Sequence, residues 1–250
     1  MSVLVLDADL GPGVGAWFTG RDGDAPPRRV GAPGNLSHRR PHHPATLATD
    51  RAEVGRRIGH PPERWVTMHQ VHDAQVGIVD ASTPQGAEVR GVDALVTAQV
   101  GRPLAVSTAD CVPVLLAGPG TVGVAHAGRK GVQTGVVPAA LRAMADLGDA
   151  PADVRAVVGP AIGGCCYEVP AAMHDEVTAD HPAAAARTTW DTPALDLPAA
   201  VAAQLAAAGV ADVRRVDTCT RCDPQQRWFS HRADPETGRQ FGLAVRQATS

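Results

Sequence analysis

Two segments carry the residues with the clearest chemical potential. In "STADCVPVLLAG" (107–118) a polar turn meets an apolar run, and Cys111 stands at the junction directly behind Asp110. In "TVGVAHAG" (121–128) an apolar run ends at His126. A hairpin joined through "GPGT" brings the start of the first strand beside the end of the second, so Cys111 and His126 meet at one end of a sheet. Alone, Cys111 fits a small core residue, because free cysteine packs like a hydrophobe. Beside His126 it has two chemical readings. The imidazole activates the thiol as a nucleophile, or both bind a metal ion together with a further histidine. Thiolate plus imidazoles suits zinc, with copper as competitor, and three protein ligands leave a fourth tetrahedral position open. Spacing alone does not separate these readings.

Among ten histidines, "MHQVH" offers His69 and His72. Three apart on a strand or its end, they face different directions, so one of them is expected to enter any given site. "HRRPHHP" (38–44) reads as a solvated basic loop. Cys219 and Cys222 form "CTRC", half a zinc site or a redox pair by spacing. No second CxxC accompanies them, so they are expected to be structural or incidental. Cys165 and Cys166 are adjacent, and on a strand their side chains diverge; they read as packing residues, one of which can face the site.

The elements that position these groups follow from hydrophobic periodicity. Residues 2–6 and 14–19 read as paired strands, 20–44 as a long surface loop, and 49–59 as a helix capped by Thr49 or Asp50. Six strand-like runs follow between 64 and 128. The stretch 135–148 has helical spacing, 153–162 reads as a strand, 170–179 and 197–208 as helices, and 212–217 as a strand. Segments 227–232 and 239–246 complete the strands. Strands in runs with helices grouped apart predict α+β packing in a single domain over 1–250. No GxGxxG follows a strand and no GxxxxGK[ST] occurs, so the common dinucleotide and P-loop routes are closed.

Composition narrows the classes. With 44% hydrophobic residues, 250 residues can bury a sizeable core, and 3% aromatics means that Ala, Val and Leu build it. A net charge of -3 and few aromatics argue against nucleic acid as a partner. The N-terminal segment lacks a basic secretory n-region, and apolar runs are interrupted by Arg142, Asp146 and Gln204, short of the ~18 apolar residues of a membrane span. Five cysteines without an export signal predict reduced thiols and a soluble, cytoplasmic chain. A monomer is expected.

Taken in order, "NLS" (35–37), "HQVH" (69–72), "DALVT" (93–97), "TADCVPVLL" (108–116), "HAGRKG" (126–131), "GPAIGGCCYEV" (159–169), "CT" (219–220) and "FSHRADPETGR" (229–239) resemble one known family. It is the laccase-domain family of purine nucleoside phosphorylases, also described as multicopper polyphenol oxidases and peptidoglycan editing factors. The resemblance spans most of the chain, and "TADCVPVLL" with "GPAIGGCCYEV" is its specific part. It implies a four-layer α/β/β/α sandwich with metal ligands His72, Cys111 and His126 at one sheet end, holding Zn2+ or Cu2+. Two motifs depart from the pattern. "HAGWRG" is here "HAGRKG", so Arg129 and Lys130 replace Trp and Arg; "FSYRRD" is "FSHRAD", so His231 and Ala233 replace Tyr and Arg, while Arg232 matches.

The activities implied are phosphorolysis of adenosine, inosine or methylthioadenosine and deamination of adenosine, with a nucleoside and phosphate as small-molecule partners. "GRKGVQTG" before the helix at 135–148 is expected to hold phosphate at the helix N-terminus, with Lys130 adding charge. Cys111, Asp110 and Lys130 are the catalytic candidates. Asn35, Arg129 and Arg232 are the substrate-binding candidates. The familiar deaminase signature, H-x-E with P-C-x-x-C, is absent. Alternative functions are a Cys–His hydrolase that removes a misplaced amino acid from a nucleotide-linked muropeptide, a copper-dependent phenol oxidase, and a metal-binding protein without catalysis.

Overall fold

The structure is a computed structural model that describes residues 3–21 and 33–248. Strands β1 (Leu4–Asp7) and β2 (Val14–Gly20) form a hairpin, and helix α1 (Pro44–Ile58) follows. Next come β3 (Thr67–His69), β4 (Val76–Ile78), β5 (Glu88–Arg90), β6 (Ala94–Thr97), β7 (Leu104–Thr108), β8 (Val112–Ala117) and β9 (Val122–Ala127). Helices α2 (Arg129–Thr134) and α3 (Val136–Asp146) lead to β10 (Arg155–Val158) and α4 (Ala171–Asp180). The chain ends with β11 (Ala185–Arg187), β12 (Pro193–Leu195), α5 (Leu197–Ala207), β13 (Asp212–Arg215) and β14 (Gln240–Arg246).

Two sheets dominate. One has the order β1-β2-β14-β7, the other β13-β10-β8-β9-β6-β4. The inner strands β8 and β9 are buried on both faces, which is why they read as unbroken apolar runs. The period of two sends alternate residues to different neighbours. On β8 and β9, Val112, Val114, Leu116, Ala125 and Ala127 pack against Val137, Leu141 and Met144 of α3 and Val201 and Leu205 of α5. Leu115, Val122 and Val124 instead meet Phe18, Val106 and Ala244 of the other sheet. On that sheet's far side, Trp17, Phe241, Leu243 and Val245 pack with Val54 and Ile58 of α1. The mixed α+β class expected from the sequence is what the chain adopts.

Several boundaries differ from the sequence reading, each for a physical reason. Helix α1 starts at Pro44, not at Thr49 or Asp50, because proline fits the first helical turn, where its missing N–H is not needed. Asp50 lies inside the helix and accepts the Gly34 N–H at 2.8 Å. Of the loop expected at 20–44, residues 22–32 lie outside the described residues, while Gly34–Ser37 are buried rather than on the surface. The segment 227–232 is not a strand, since β14 is already paired on both sides by β2 and β7. The side chain of Gln240 takes the place of a strand neighbour, accepting from Phe229 N–H at 2.8 Å and donating to its carbonyl at 3.3 Å. Helix formation begins earlier than predicted after β9: Arg129–Thr134 is itself a six-residue helix, and Gly135, at φ 82°, separates it from α3. "GRKGVQTG" thus directly precedes the long helix, with Arg129–Thr134 forming a short helix of its own.

Candidate metal centre

The β8–β9 hairpin pairs Val112 with Ala127 and Pro113 with His126, placing Cys111 opposite Gly128. By strand parity His126 shares the face of Val122 and Val124, toward the second sheet. His72 arrives from the loop after β3. The ligand atoms of His72, Cys111 and His126 all lie within 4.8 Å of one another. The two imidazoles meet edge to face at 4.7 Å between centroids. Gly128 closes the cluster: a Cβ there would stand 3.0 Å from His72 Cδ2 and 3.1 Å from Cys111 Sγ, so a side chain would crowd both donors.

Asp93, fully buried, holds the arrangement together, and the sequence reading had passed over it. One carboxylate oxygen accepts the N–H groups of Val71 and Asp73 at 3.0 and 2.9 Å, and the other accepts the His72 N–H at 3.0 Å. That second oxygen also meets His126 Nδ1 at 2.8 Å, which leaves Nε2 as the nitrogen free for Cys111 or an ion. Three converging N–H groups let His72 keep the left-handed φ of 63°, a conformation costing on the order of 1–3 kcal/mol for a non-glycine residue. The side chain of Gln70 fixes the same loop to β7, donating to the Ser107 carbonyl at 2.8 Å and accepting its N–H at 3.0 Å. Asp93 begins the "DALVT" segment; its signal was an acidic residue ahead of a wholly buried strand.

Burial opposes ionisation of Cys111, but the charge of His126 and hydrogen bonds from His126 and His72 outweigh it, bringing the thiol down from 9.0 to about 6. Burial likewise opposes protonation of His126. The Cys111 thiolate and the Asp93 carboxylate prevail and raise it from 6.5 to about 9. Both shifts make folding stability depend on pH. The contribution of Cys111 is in place above 9.0 and lost as pH falls through about 6; that of His126 is in place below 6.5 and lost as pH rises through about 9. In metal-free protein the ion pair thus persists between about 6 and about 9. Iodoacetamide should alkylate Cys111 of chelator-treated protein with a rate that rises through pH 6 and is level above about pH 7, where an ordinary thiol is still mostly protonated. The His126→Gln variant should move that midpoint upward; an unchanged profile would contradict the pairing.

The cluster opens into a pocket of about 390 Å³ whose walls include Arg40, Arg51, His69, Ser107, His231 and Arg239. His72, Cys111 and His126 line it, whereas Asn35, Asp110, Arg129, Lys130 and Arg232 do not. Asp110, at φ 82°, uses both carboxylate oxygens structurally, accepting the Thr220 hydroxyl and the Arg232 N–H, each at 2.6 Å. Asn35 Oδ1 accepts the Ser37 and Arg239 N–H groups at 3.0 and 2.9 Å. Arg129 donates to Gln133 at 2.7 Å, and Lys130 is exposed beside Val71, His72 and Asp73 on a separate depression. Arg232 stacks over Tyr167 at 4.9 Å and donates to the Glu168 carbonyl. Tyr167 is raised by burial first, then by the nearby Cys111 thiolate. A second group, Cys165, Cys166, Cys219 and Cys222, also brings its sulfurs within 4.8 Å of one another. The expectation that the side chains of Cys165 and Cys166 diverge on a strand is corrected: residues 163–167 form a turn, not a strand.

Fold and cluster together define a mixed α+β protein with a candidate Cys/His₂ metal centre. The chain belongs to the family described as multi-copper polyphenol oxidoreductase laccase, whose model matches residues 15–247. It is 52% identical over 202 residues to a protein of Streptomyces coelicolor named purine nucleoside phosphorylase, covering 80% of this chain and 82% of that one. A Mycobacterium tuberculosis protein of the same name is 46% identical over 198 residues, covering 78% of each chain. The crystal structure of YlmD from Geobacillus stearothermophilus superposes with a TM-score of 0.86 at 31% identity, covering 99% of this chain and 97% of that one. The resemblance carried by "TADCVPVLL" and "GPAIGGCCYEV" is thereby borne out. No helix among the described residues is long and apolar enough to cross a membrane.

Proposed function

We propose that this chain is a zinc-dependent purine nucleoside phosphorylase acting on adenosine, inosine or methylthioadenosine. Phosphate oxygen bonds to ribose C1′, the C1′–N bond breaks with its electrons going to the base, and the base leaves after taking a proton. One observation carries the reading: the His72–Cys111–His126 cluster shares a pocket with four arginines, of which Arg39 is paired with Glu88, leaving Arg40, Arg51 and Arg239 for an anion. Its volume of about 390 Å³ suits a nucleoside-sized ligand, small-molecule sites spanning about 300–1,000 Å³. The names of the Streptomyces and Mycobacterium relatives support it.

The donor set fits zinc. The soft Sγ of Cys111 and two imidazole nitrogens stand close together, and the Asp93 bond to His126 Nδ1 fixes which nitrogen faces the ion. When bound, zinc supplies Lewis acidity toward an oxygen set against it. The protein supplies the rest. Burial pushes the guanidinium pKa of Arg51 and of Arg239 down, and among the described residues neither forms an ion pair. A phosphate restores the charge balance there that burial denies. Arg51 is held over the Trp65 ring at 5.5 Å, and Arg239 donates to the carbonyls of Thr237 and Gly238 at 3.0 and 2.9 Å. The anion site is thus assigned to these side chains in place of Lys130 and the helix N-terminus. Asp110, with both oxygens engaged, acts on Cys111 by fixing its turn, and Arg232 with Tyr167 borders the cluster from the other side. The same site deaminates adenosine when water attacks C6 and ammonia leaves.

Adenosine with phosphate should give adenine and ribose 1-phosphate in equal amounts, stopped by a chelator and restored by zinc. No turnover in zinc-replete protein overturns the reading. Arg51→Met should raise the KM for phosphate about 10–100-fold with a smaller change in kcat, the loss expected for one hydrogen bond to a charged group. An unchanged phosphate KM places the anion elsewhere.

A second reading rests on the Cys111–His126–Asp93 alignment, which is also that of a nucleophilic triad. On it the chain is a hydrolase that edits a misplaced amino acid from a nucleotide-linked muropeptide through an acyl-Cys111 intermediate. The strained backbone that turns His72 into the cluster favours the metal reading, since a triad needs no second imidazole. Trapping of an acyl group on Cys111 in metal-free protein would reverse the preference. The copper phenol oxidase and non-catalytic readings predict, respectively, copper-dependent phenol turnover and stoichiometric zinc without nucleoside turnover.

A further inference from the structure

Behind the turn that carries Cys111, two loops meet. Residues 159–169 follow β10, residues 216–223 follow β13, and an isolated parallel bridge joins Ala161 to Cys219, with Thr220 N–H donating to the Ala161 carbonyl at 3.0 Å. This junction gathers the sulfurs of Cys165, Cys166, Cys219 and Cys222. Cys165 Sγ and Cys222 Sγ stand 3.7 Å apart. Tetrahedral sulfur ligands about 2.3 Å from a zinc ion are separated by about 3.8 Å, so this spacing is that of an S₄ shell.

Two features show a built site. First, Gly163 N–H, from the other loop, donates to the sulfur of Cys219 at 3.3 Å. Amide donors aimed at a sulfur stabilise it as thiolate, the form that ligates metal. Second, adjacent cysteines serve one centre only if their side chains do not alternate. The N–H groups of Cys166 and Tyr167 both donate to the Gly163 carbonyl, at 2.9 and 3.0 Å, curling the segment into a helical turn. Successive side chains on such a turn are about 100° apart, which lets both sulfurs face inward. Arg221, donating to the Cys166 carbonyl at 3.3 Å, adds positive charge beside a centre that carries two net negative charges when four thiolates hold one Zn²⁺.

We propose that Cys165, Cys166, Cys219 and Cys222 bind one Zn²⁺ as a closed tetrathiolate site, distinct from the His72–Cys111–His126 cluster. Four thiols lose four protons to solvent as the ion binds, and no open position remains for a substrate. The role is structural. Both tethered loops hold Asp110, the first through Ile162 N–H to its carbonyl at 2.9 Å and the second through the Thr220 hydroxyl to its carboxylate at 2.6 Å. The ion thereby staples the two segments that set the turn of Cys111.

Zinc analysis of protein purified under reducing conditions tests this independently of any activity. Wild type should hold two zinc ions per chain, Cys111→Ser one, and Cys219→Ser/Cys222→Ser one. Cobalt(II) loaded into Cys111→Ser should give intense thiolate-to-metal charge-transfer bands with tetrahedral ligand-field bands. Because Cys222 is exposed, Cys222→His tests the site without disturbing the core; it should keep the metal and shift the cobalt spectrum. Cys111→Ser without zinc, a cobalt spectrum of Cys111→Ser/Cys222→His identical to that of Cys111→Ser, or a disulfide among these cysteines in the zinc-replete reduced protein overturns the proposal.

Discussion

Replacing Asp93 by alanine should lower stability by about 3–5 kcal/mol, the cost of removing one partner of a buried ion pair. For a chain of this length that is a fall in Tm of roughly 6–20 °C. The carboxylate is fully buried and serves the N–H groups of residues 71, 72 and 73 together with His126 Nδ1, so alanine strands four donors at once. The left-handed turn at His72 loses the contacts that hold it, and zinc affinity falls with it. Asp93→Asn removes the buried charge while sparing the volume. It keeps the shape and an acceptor for the loop, but its amide group then faces either the loop N–H groups or His126. If the amide NH₂ faces His126, Nδ1 must accept, the ring proton moves to Nε2, and metal binding competes with that proton. A loss of about 10–100-fold in zinc affinity is expected, the usual scale for a group that orients a ligand, with a fall in Tm smaller than that of Asp93→Ala. Calorimetry and competitive zinc titration read the two quantities. Wild-type affinity in Asp93→Asn would contradict the orienting role.

Cys111→Ser should abolish phosphorolysis in the presence of zinc, while leaving the fold in place. Serine is close to cysteine in volume, and Cys111 is only partly enclosed, so the packing of β8 and β9 survives. The hydroxyl does not ionise at neutral pH and is a hard donor, so the zinc site loses its one anionic ligand. Activity at least 100-fold below wild type is the expectation, with Tm changed little apart from the lost ion. The assay is phosphate-dependent release of adenine, alongside circular dichroism to confirm folding. Turnover near the wild-type rate would remove Cys111 from the centre under both the metal and the nucleophile readings.

The strands around the site were legible in the sequence because they are buried on both faces, and unbroken apolar runs such as "VPVLLA" allow one interpretation. From them the hairpin register, and hence the closeness of Cys111 to His126, followed directly. Asp93 was not legible. Its partners lie about twenty residues before it and thirty-three after it, and an acidic residue ahead of a buried strand does not show which loop it will cap. Arg51 on α1 and Arg239 just before β14, the residues proposed for the anion, were missed for a similar reason. Lys130, close in sequence to His126, is exposed on α2. The cysteine cluster depended on a turn at 163–167 and a bridge between Ala161 and Cys219, neither of which spacing reveals.

The central claim is that two imidazoles and one thiolate hold a single cation. A crystal of the zinc-loaded protein, with diffraction recorded on both sides of the zinc absorption edge, tests it most directly. The account predicts an anomalous peak about 2.0–2.1 Å from a nitrogen of His72 and from Nε2 of His126, and about 2.3 Å from Cys111 Sγ. A zinc-replete crystal with no peak at that position, or with His72 turned away from it, would contradict the account.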